Sequence, residues 1–240
     1  MNRLKDICNS INIEITDSQI DQFNRYYEML VEKNKVMNLT AITEINDVIV
    51  KHFVDSIAVI PYLKDMGIEL NNDLRIIDIG TGAGFPGLPL KIMIPDAEFT
   101  LLDSLNKRVG FLNEVISELN LKQINAVHGR AEDLAADKMY REKYNLCVSR
   151  AVANLSTLSE YCLPFVKKDG FFISYKAGDS EEEINNSKNA IKLLGGKINK
   201  VEDFILPESD AQRVFVFIKK LENTDKKYPR KAGVPAKKPL

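Results

Sequence analysis

The stretch 78-DIGTGAGFPGLPLKI-92 places four glycines, Gly80, Gly82, Gly84 and Gly87, within eight residues. It follows the apolar run 74-LRIID-78, which reads as a strand, while Pro86 sits where a helix would begin. A strand that turns through glycines into a helix lets the backbone come close to a bound ligand. Outward from this turn the same texture repeats. Short β-rich runs, 98-EFTLLD-103, 124-INAVH-128, 144-YNLCVS-149 and 171-FFISYK-176, alternate with helical patterns marked by Val109, Leu112, Val115, Ile116 and Leu119, then by Leu155, Leu158 and Leu163, then by 180-SEEEINNSKNAIKLLGG-196. Such alternation predicts an α/β fold with a Rossmann-like, mainly parallel sheet. The closing runs 198-INKVEDFIL-206 and 212-QRVFVFIK-219 are joined too tightly for a crossover helix, so they are expected to pair antiparallel in a seven-stranded sheet.

Before the first strand the period is helical. Thr16 and Gln19 spell a capping box ahead of Ile20, Phe23, Tyr27, Leu30 and Val31. A second stripe, Ile45, Ile49, Phe53, Ile57 and Ile60, is expected to run from about Thr43 until Pro61 stops it. The predicted organisation is a helical subdomain over 1–65, a Rossmann-like domain over 66–222 and a tail over 223–240. Of the tail, 226-KKYPRKAGVPAKKPL-240 carries six Lys or Arg, three Pro and no acid, and is expected to be extended.

Composition excludes several classes. A hydrophobic content of 45% with 28% charged residues is that of a globular protein, no apolar run would span a bilayer, and MNRLKDICNS lacks the apolar core of a signal peptide, so a cytoplasmic, monomeric protein is the expectation. Cys8, Cys147 and Cys162 are widely spaced, and the only histidines are His52 and His128, so no metal site is expected and the thiols read as buried apolar groups. A net charge of -1 leaves room only for a local basic patch.

The glycine turn has two registers. From Gly80 it is the G-x-G-x-G of methyltransferases that use S-adenosylmethionine, and from Gly82 it is the G-x-G-x-x-G of dinucleotide enzymes such as NAD-dependent oxidoreductases. Asp103 ends the second strand 23 residues after Gly80, a spacing at which an acid binds ribose hydroxyls in either class. Asp78, just before the loop, would repel a pyrophosphate and suit an ammonium or sulfonium. Pro86 removes an N–H that a pyrophosphate would use, and the acids of 128-HGRAED-133 suit an adenine amino group. These features favour S-adenosylmethionine, with the dinucleotide still open.

The fourth strand runs into 145-NLCVSRAVANL-155, which has neither an Asn/Asp-Pro-Pro-aromatic signature nor a Pro-Cys dipeptide. No catalytic base or nucleophile is evident, and Cys147 reads as core. An acceptor with a free lone pair, such as a ring nitrogen of guanine, would need only alignment in a dry pocket. Arg150, after this strand, could hold the cofactor carboxylate, a base or a phosphate, and Lys176 is a second cation at the same edge. His52 reads as a buried histidine, and Asn38 and Asp55 as caps or surface polar groups.

The ordered set 38-NLT-40, 51-KHFVDS-56, 78-DIGTGAGFPGLPLKI-92, 101-LLDSLNKRVGFL-112, 129-GRAED-133, 149-SRAVANL-155 and 228-YPRKAGVPAKKPL-240 resembles the ribosomal RNA small subunit methyltransferase G family, also called glucose-inhibited division protein B, across nearly the whole chain. The resemblance implies a class I methyltransferase acting on N7 of one guanine of 16S rRNA near the decoding region, with 16S rRNA or an assembling small ribosomal subunit as partner. It implies cofactor contacts at Gly80 and Phe85, at Asp103, Ser104 and Leu105, at Ala131 and Glu132, and at Arg150, beside Asp78 and Gly82 of the loop. It also makes an RNA-contact role the expectation for the basic tail, through Arg230, Lys231, Lys237 and Lys238 together with Arg150 and Lys176. Beside the oxidoreductase, a noncatalytic RNA-binding protein that senses the cofactor is the remaining alternative.

Overall fold

The computed structural model describes residues 1–150 and 152–240. In chain order the helices are α1 (Asn2–Ser10), α2 (Asp17–Met37), α3 (Ile45–Val48), α4 (Asp55–Ile57), α5 (Ile60–Asp65), α6 (Gly87–Met93), α7 (Asn106–Glu118), α8 (Ala131–Leu134), α9 (Leu155–Cys162), α10 (Glu181–Leu193) and α11 (Val234–Lys237). The strands are β1 (Arg75–Ile79), β2 (Glu98–Asp103), β3 (Ile124–His128), β4 (Tyr144–Arg150), β5 (Val166–Ala177), β6 (Gly196–Ile205) and β7 (Gln212–Lys220). They form one seven-stranded sheet in the order β3-β2-β1-β4-β5-β7-β6. The first five strands are parallel, and β7 runs antiparallel between β5 and β6. This is the expected Rossmann-like sheet, with its antiparallel closing pair.

Alternation along the strands divides the core into two layers. Ile76, Phe99, Leu101, Val148, Phe215 and Phe217 face α2, α6 and α7, whereas Ile77, Leu102, Cys147, Phe172, Val216 and Ile218 face α9 and α10. Phe23, Tyr26 and Leu30 of α2 and Phe53 belong to the first layer, so the N-terminal helices share a continuous core with the sheet. Helix α2 starts where the sequence indicates. The Thr16 hydroxyl accepts from Gln19 N–H at 3.2 Å and Gln19 Oε1 accepts from Thr16 N–H at 2.9 Å, the reciprocal capping box.

Two local expectations fail. The stripe from Ile45 is not one helix ended by Pro61. It breaks into α3, a π-helical turn over Ile49–Val54, and α4, and Pro61 lies in the first turn of α5. A proline at a helix start forfeits an N–H that has no partner there, so it begins the next helix. The tail is not extended: Tyr228 and Pro235 are buried, and α11 is a helical turn. The sequence shows its charges and prolines, but the groups that receive it lie on other elements.

Candidate functional site

The glycine turn owes its shape to three left-handed residues, Gly80, Gly82 and Gly84, with φ of 70°, 63° and 108°. A Cβ at Gly80 would sit 2.6 Å from Val152 Cγ2, and one at Gly84 would crowd Leu88 and the Tyr26 hydroxyl. The Tyr26 hydroxyl donates to Ala83 O at 2.6 Å, tying the loop to α2. Gly87 is different. It opens α6 and donates its N–H to Asp78 Oδ2 at 2.8 Å. A pyrophosphate would need that helix terminus, which the buried carboxylate already occupies, so the dinucleotide register is overturned.

Asp78 itself is wholly buried beneath the turn, and its Oδ1 has no hydrogen-bond partner among the described residues. Burial pushes its pKa up to about 7, against the lowering effects of the nearby Thr81 hydroxyl and then of the Gly87 N–H. It lies outside the adjoining cavity, and its contact with the turn is made from below. At the end of β2, Asp103 Oδ2 accepts from Gly82 N–H and Oδ1 from Leu105 N–H, each at 2.9 Å. One carboxylate thereby ties the glycine turn to the start of α7.

Above the carboxyl ends of β1 to β4 lies a cavity of about 310 Å³. Gly80, Asp103, Ser104, Ala131 and Glu132 line it together. Gly129, Arg130, Val152, Tyr161, Gly233 and Ala236 also line it and were not among the expected contacts. The volume is that of a small-molecule site, at the crevice where the strand order reverses between β1 and β4. Apolar Ile79 and Leu102 beneath two acids form a donor set that fits an adenosine group: a flat base against hydrocarbon, with carboxylates for hydroxyl and amino hydrogens. Gly82 and Leu105 support this cavity through Asp103, Arg150 lines a second cavity beside it, and Phe85 lines neither but packs behind His52 and Arg150.

That neighbour, about 600 Å³, is lined by Lys51, His52, Asp55, Arg150, Lys176 and Arg213 among others. The π-helical turn presents Lys51 and His52 here, and such turns recur at functional sites. Asp55, far from being a cap or surface group, is buried and receives Arg150 Nη1 on Oδ2 and Arg213 Nε on Oδ1, each at 2.8 Å. His52 stacks on Phe85 with centroids 4.4 Å apart, and the Arg150 guanidinium lies 5.2 Å from the same ring. The carbonyl of Lys51, 3.1 Å from His52 Nδ1, can only accept, and it outweighs the looser 3.4 Å approach of Arg150 Nη2 to the same nitrogen, so Nδ1 carries the proton and Nε2 accepts from the Thr40 hydroxyl at 2.8 Å. Burial, then the charge of Arg150, holds the imidazole pKa down at about 4, so it is neutral near pH 7. Asn38 is, as expected, a helix cap, closing α2 in the left-handed conformation.

The expected RNA-binding cations divide. Arg230 is locked by Nε and Nη2 onto the fully buried Glu160 at 2.9 and 2.6 Å, so it anchors the tail instead of standing free for phosphate. Lys176 donates to Glu183 at 2.6 Å and to Ala153 O at 2.9 Å. Lys231, Lys237 and Lys238 are exposed, with no ion pair among the described residues. The cysteines are buried as expected, and no cluster of metal-ligating side chains occurs among the described residues. No described helix is long and apolar enough to cross a membrane.

The comparisons with known proteins agree with this geometry. The family model described as rRNA small subunit methyltransferase G matches residues 19–212. The chain is 52% identical over 233 residues to ribosomal RNA small subunit methyltransferase G of Acetivibrio thermocellus, covering 97% of this chain and 93% of that one. It is 50% identical over 229 residues to the protein of the same name from Lactococcus lactis subsp. cremoris, covering 95% and 94%. Among solved structures, M. jannaschii TYW2 in complex with AdoMet superposes with a TM-score of 0.51 at 15% identity over 68% of this chain and 76% of that one, a likeness of fold. Identity at this level over nearly the full length, on a sheet whose glycine turn excludes a pyrophosphate, leaves one conclusion: the chain belongs to the rRNA small subunit methyltransferase G family.

Proposed function

We propose that this methyltransferase acts on N7 of a single guanine of 16S rRNA near the decoding region, with S-adenosylmethionine as donor. The observation that carries the reading is the pair of adjoining cavities at the carboxyl edge of the sheet. Arg150 lines one and Val152, two residues on, lines the other. When bound, S-adenosylmethionine supplies an electrophilic methyl on a sulfonium.

The chain's own residues do the rest by binding and orienting. Gly80 leaves its backbone bare to the cavity, and Asp103 at the end of β2 and Glu132 in the first turn of α8 offer carboxylates. In the larger cavity, Lys51, Arg150, Lys176 and Arg213 lie among Asp55, Asp179 and Glu183. Such a mixed lining suits a base edge that carries both donors and acceptors, as guanine does. N7 already holds a free lone pair, so no residue need remove a proton before attack. The neutral, doubly hydrogen-bonded His52 is consistent with a positioning role, as part of the Phe85 and Arg150 stack. Alignment and exclusion of water then dominate the rate. N7 is inaccessible in the deep major groove of a regular RNA helix, so the target must be unpaired or splayed.

Chemical cleavage at N7-methylguanine in 16S rRNA, from cells with and without this gene, tests the reading. One cleavage site that disappears with the gene is expected; an unchanged pattern would overturn the proposed substrate.

A further inference from the structure

We propose that the C-terminal segment 228–238 is the outer wall of the smaller cavity and sets the affinity for the methyl donor, in addition to any contact with RNA. The inference rests on that cavity being the donor site. Gly233 and Ala236 line the cavity, although they lie about a hundred residues from Glu132 in sequence. Gly233 does more than line it. Its N–H, presented in the left-handed conformation with φ of 81°, donates to Glu132 Oε1 at 2.9 Å. One oxygen of the carboxylate on the cavity wall is therefore held by the tail, leaving the other without a protein partner among the described residues.

A wall must be fixed in place, and this one is anchored from end to end. Arg141 Nη1 donates to Tyr228 O at 2.9 Å, and its Nη2 to Thr224 O at 2.7 Å. Glu160, fully buried on α9, takes both the backbone N–H and the guanidinium of Arg230. The Thr157 hydroxyl, also on α9, donates to Pro235 O at 3.2 Å. A merely solvated basic arm would need none of these contacts. An arm for phosphates alone would not commit Arg230 to a buried carboxylate, which discards one of its strongest phosphate ligands. The geometry instead uses Arg230 to seat Gly233 and Ala236 over the cavity, while Lys231, Lys237 and Lys238 stay exposed.

The test is calorimetry with S-adenosylhomocysteine on the full chain, without RNA. Ala236→Phe projects a ring at the cavity from an exposed position, so the fold is expected to melt as before while the dissociation constant rises about 10-fold or more. Lys237→Ser with Lys238→Ser removes charge but leaves the wall, and the dissociation constant is expected to stay within about 2-fold. Wild-type affinity in Ala236→Phe would overturn the inference, as would equal weakening in the lysine variant, which would make charge the cause. Failure of the intact chain to bind would overturn the reading of the cavity itself, a result distinct from both.

Discussion

Buried Asp78 and half-buried His52 work against each other across the same pH range. His52 has its pKa lowered to about 4, so the unfolded chain takes up its proton first as pH falls below about 6.5, and stability drops between there and pH 4. Asp78 has its pKa raised to about 7, so the folded chain retains a proton that the unfolded chain has lost, and stability drops as pH rises from about 4 to 7. The opposing slopes predict a flat wild-type profile there. Denaturant titrations of Asp78→Asn, which can still accept from Gly87 N–H, are expected to show stability rising with pH from 4 to 6.5. His52→Gln is expected to show the reverse; equal slopes in the two variants would refute both assignments. At Gly80 the strain is backbone and steric together. Gly80→Ala, with φ at 70° and a Cβ facing Val152, is expected to weaken donor binding about 10-fold by calorimetry while the sheet stays folded.

At the scale of elements, the tail behaves as part of the fold. Arg230→Met leaves Glu160 buried without its charged partner, and should cost about 3 kcal/mol, read as a lower denaturation midpoint. A loss near zero would mean that the tail is not seated on α9. The elements also show where sequence was sufficient. Short β-rich runs placed all seven strands, and Thr16 with Gln19 placed the start of α2, because these signals are local. Asp103 at the end of β2 and Glu132 shortly after β3 were legible for the same reason: a strand end followed by a turn puts them at the carboxyl edge. Asp55 was not, since its partners Arg150 and Arg213 lie 95 and 158 residues away and nothing in 51-KHFVDS-56 points to them. Gly233 and Ala236 were hidden likewise. Composition reads 226–240 as an extended basic stretch, and only tertiary contacts from Arg141, Thr157 and Glu160 turn it into a wall.

For the whole molecule, a net charge of -1 means that RNA attraction depends on where the cations lie. Lys231, Lys237 and Lys238 stand exposed on the segment that walls the donor cavity. Replacing all three by serine is expected to weaken binding to small-subunit rRNA and flatten the plot of log affinity against log salt by about 2, at about 0.7 for each phosphate contact. Filter binding across a salt series reads the slope, and an unchanged slope would remove these lysines from the interface. The central claim concerns the bond that is made. The most direct measurement incubates the purified chain with S-adenosylmethionine labelled in its methyl group and small-subunit rRNA from cells lacking the gene, then cleaves the RNA chemically at N7-methylguanine. The account predicts label at one guanine near the decoding region, with cleavage at that position; label on another atom or another base, or no transfer, would contradict it.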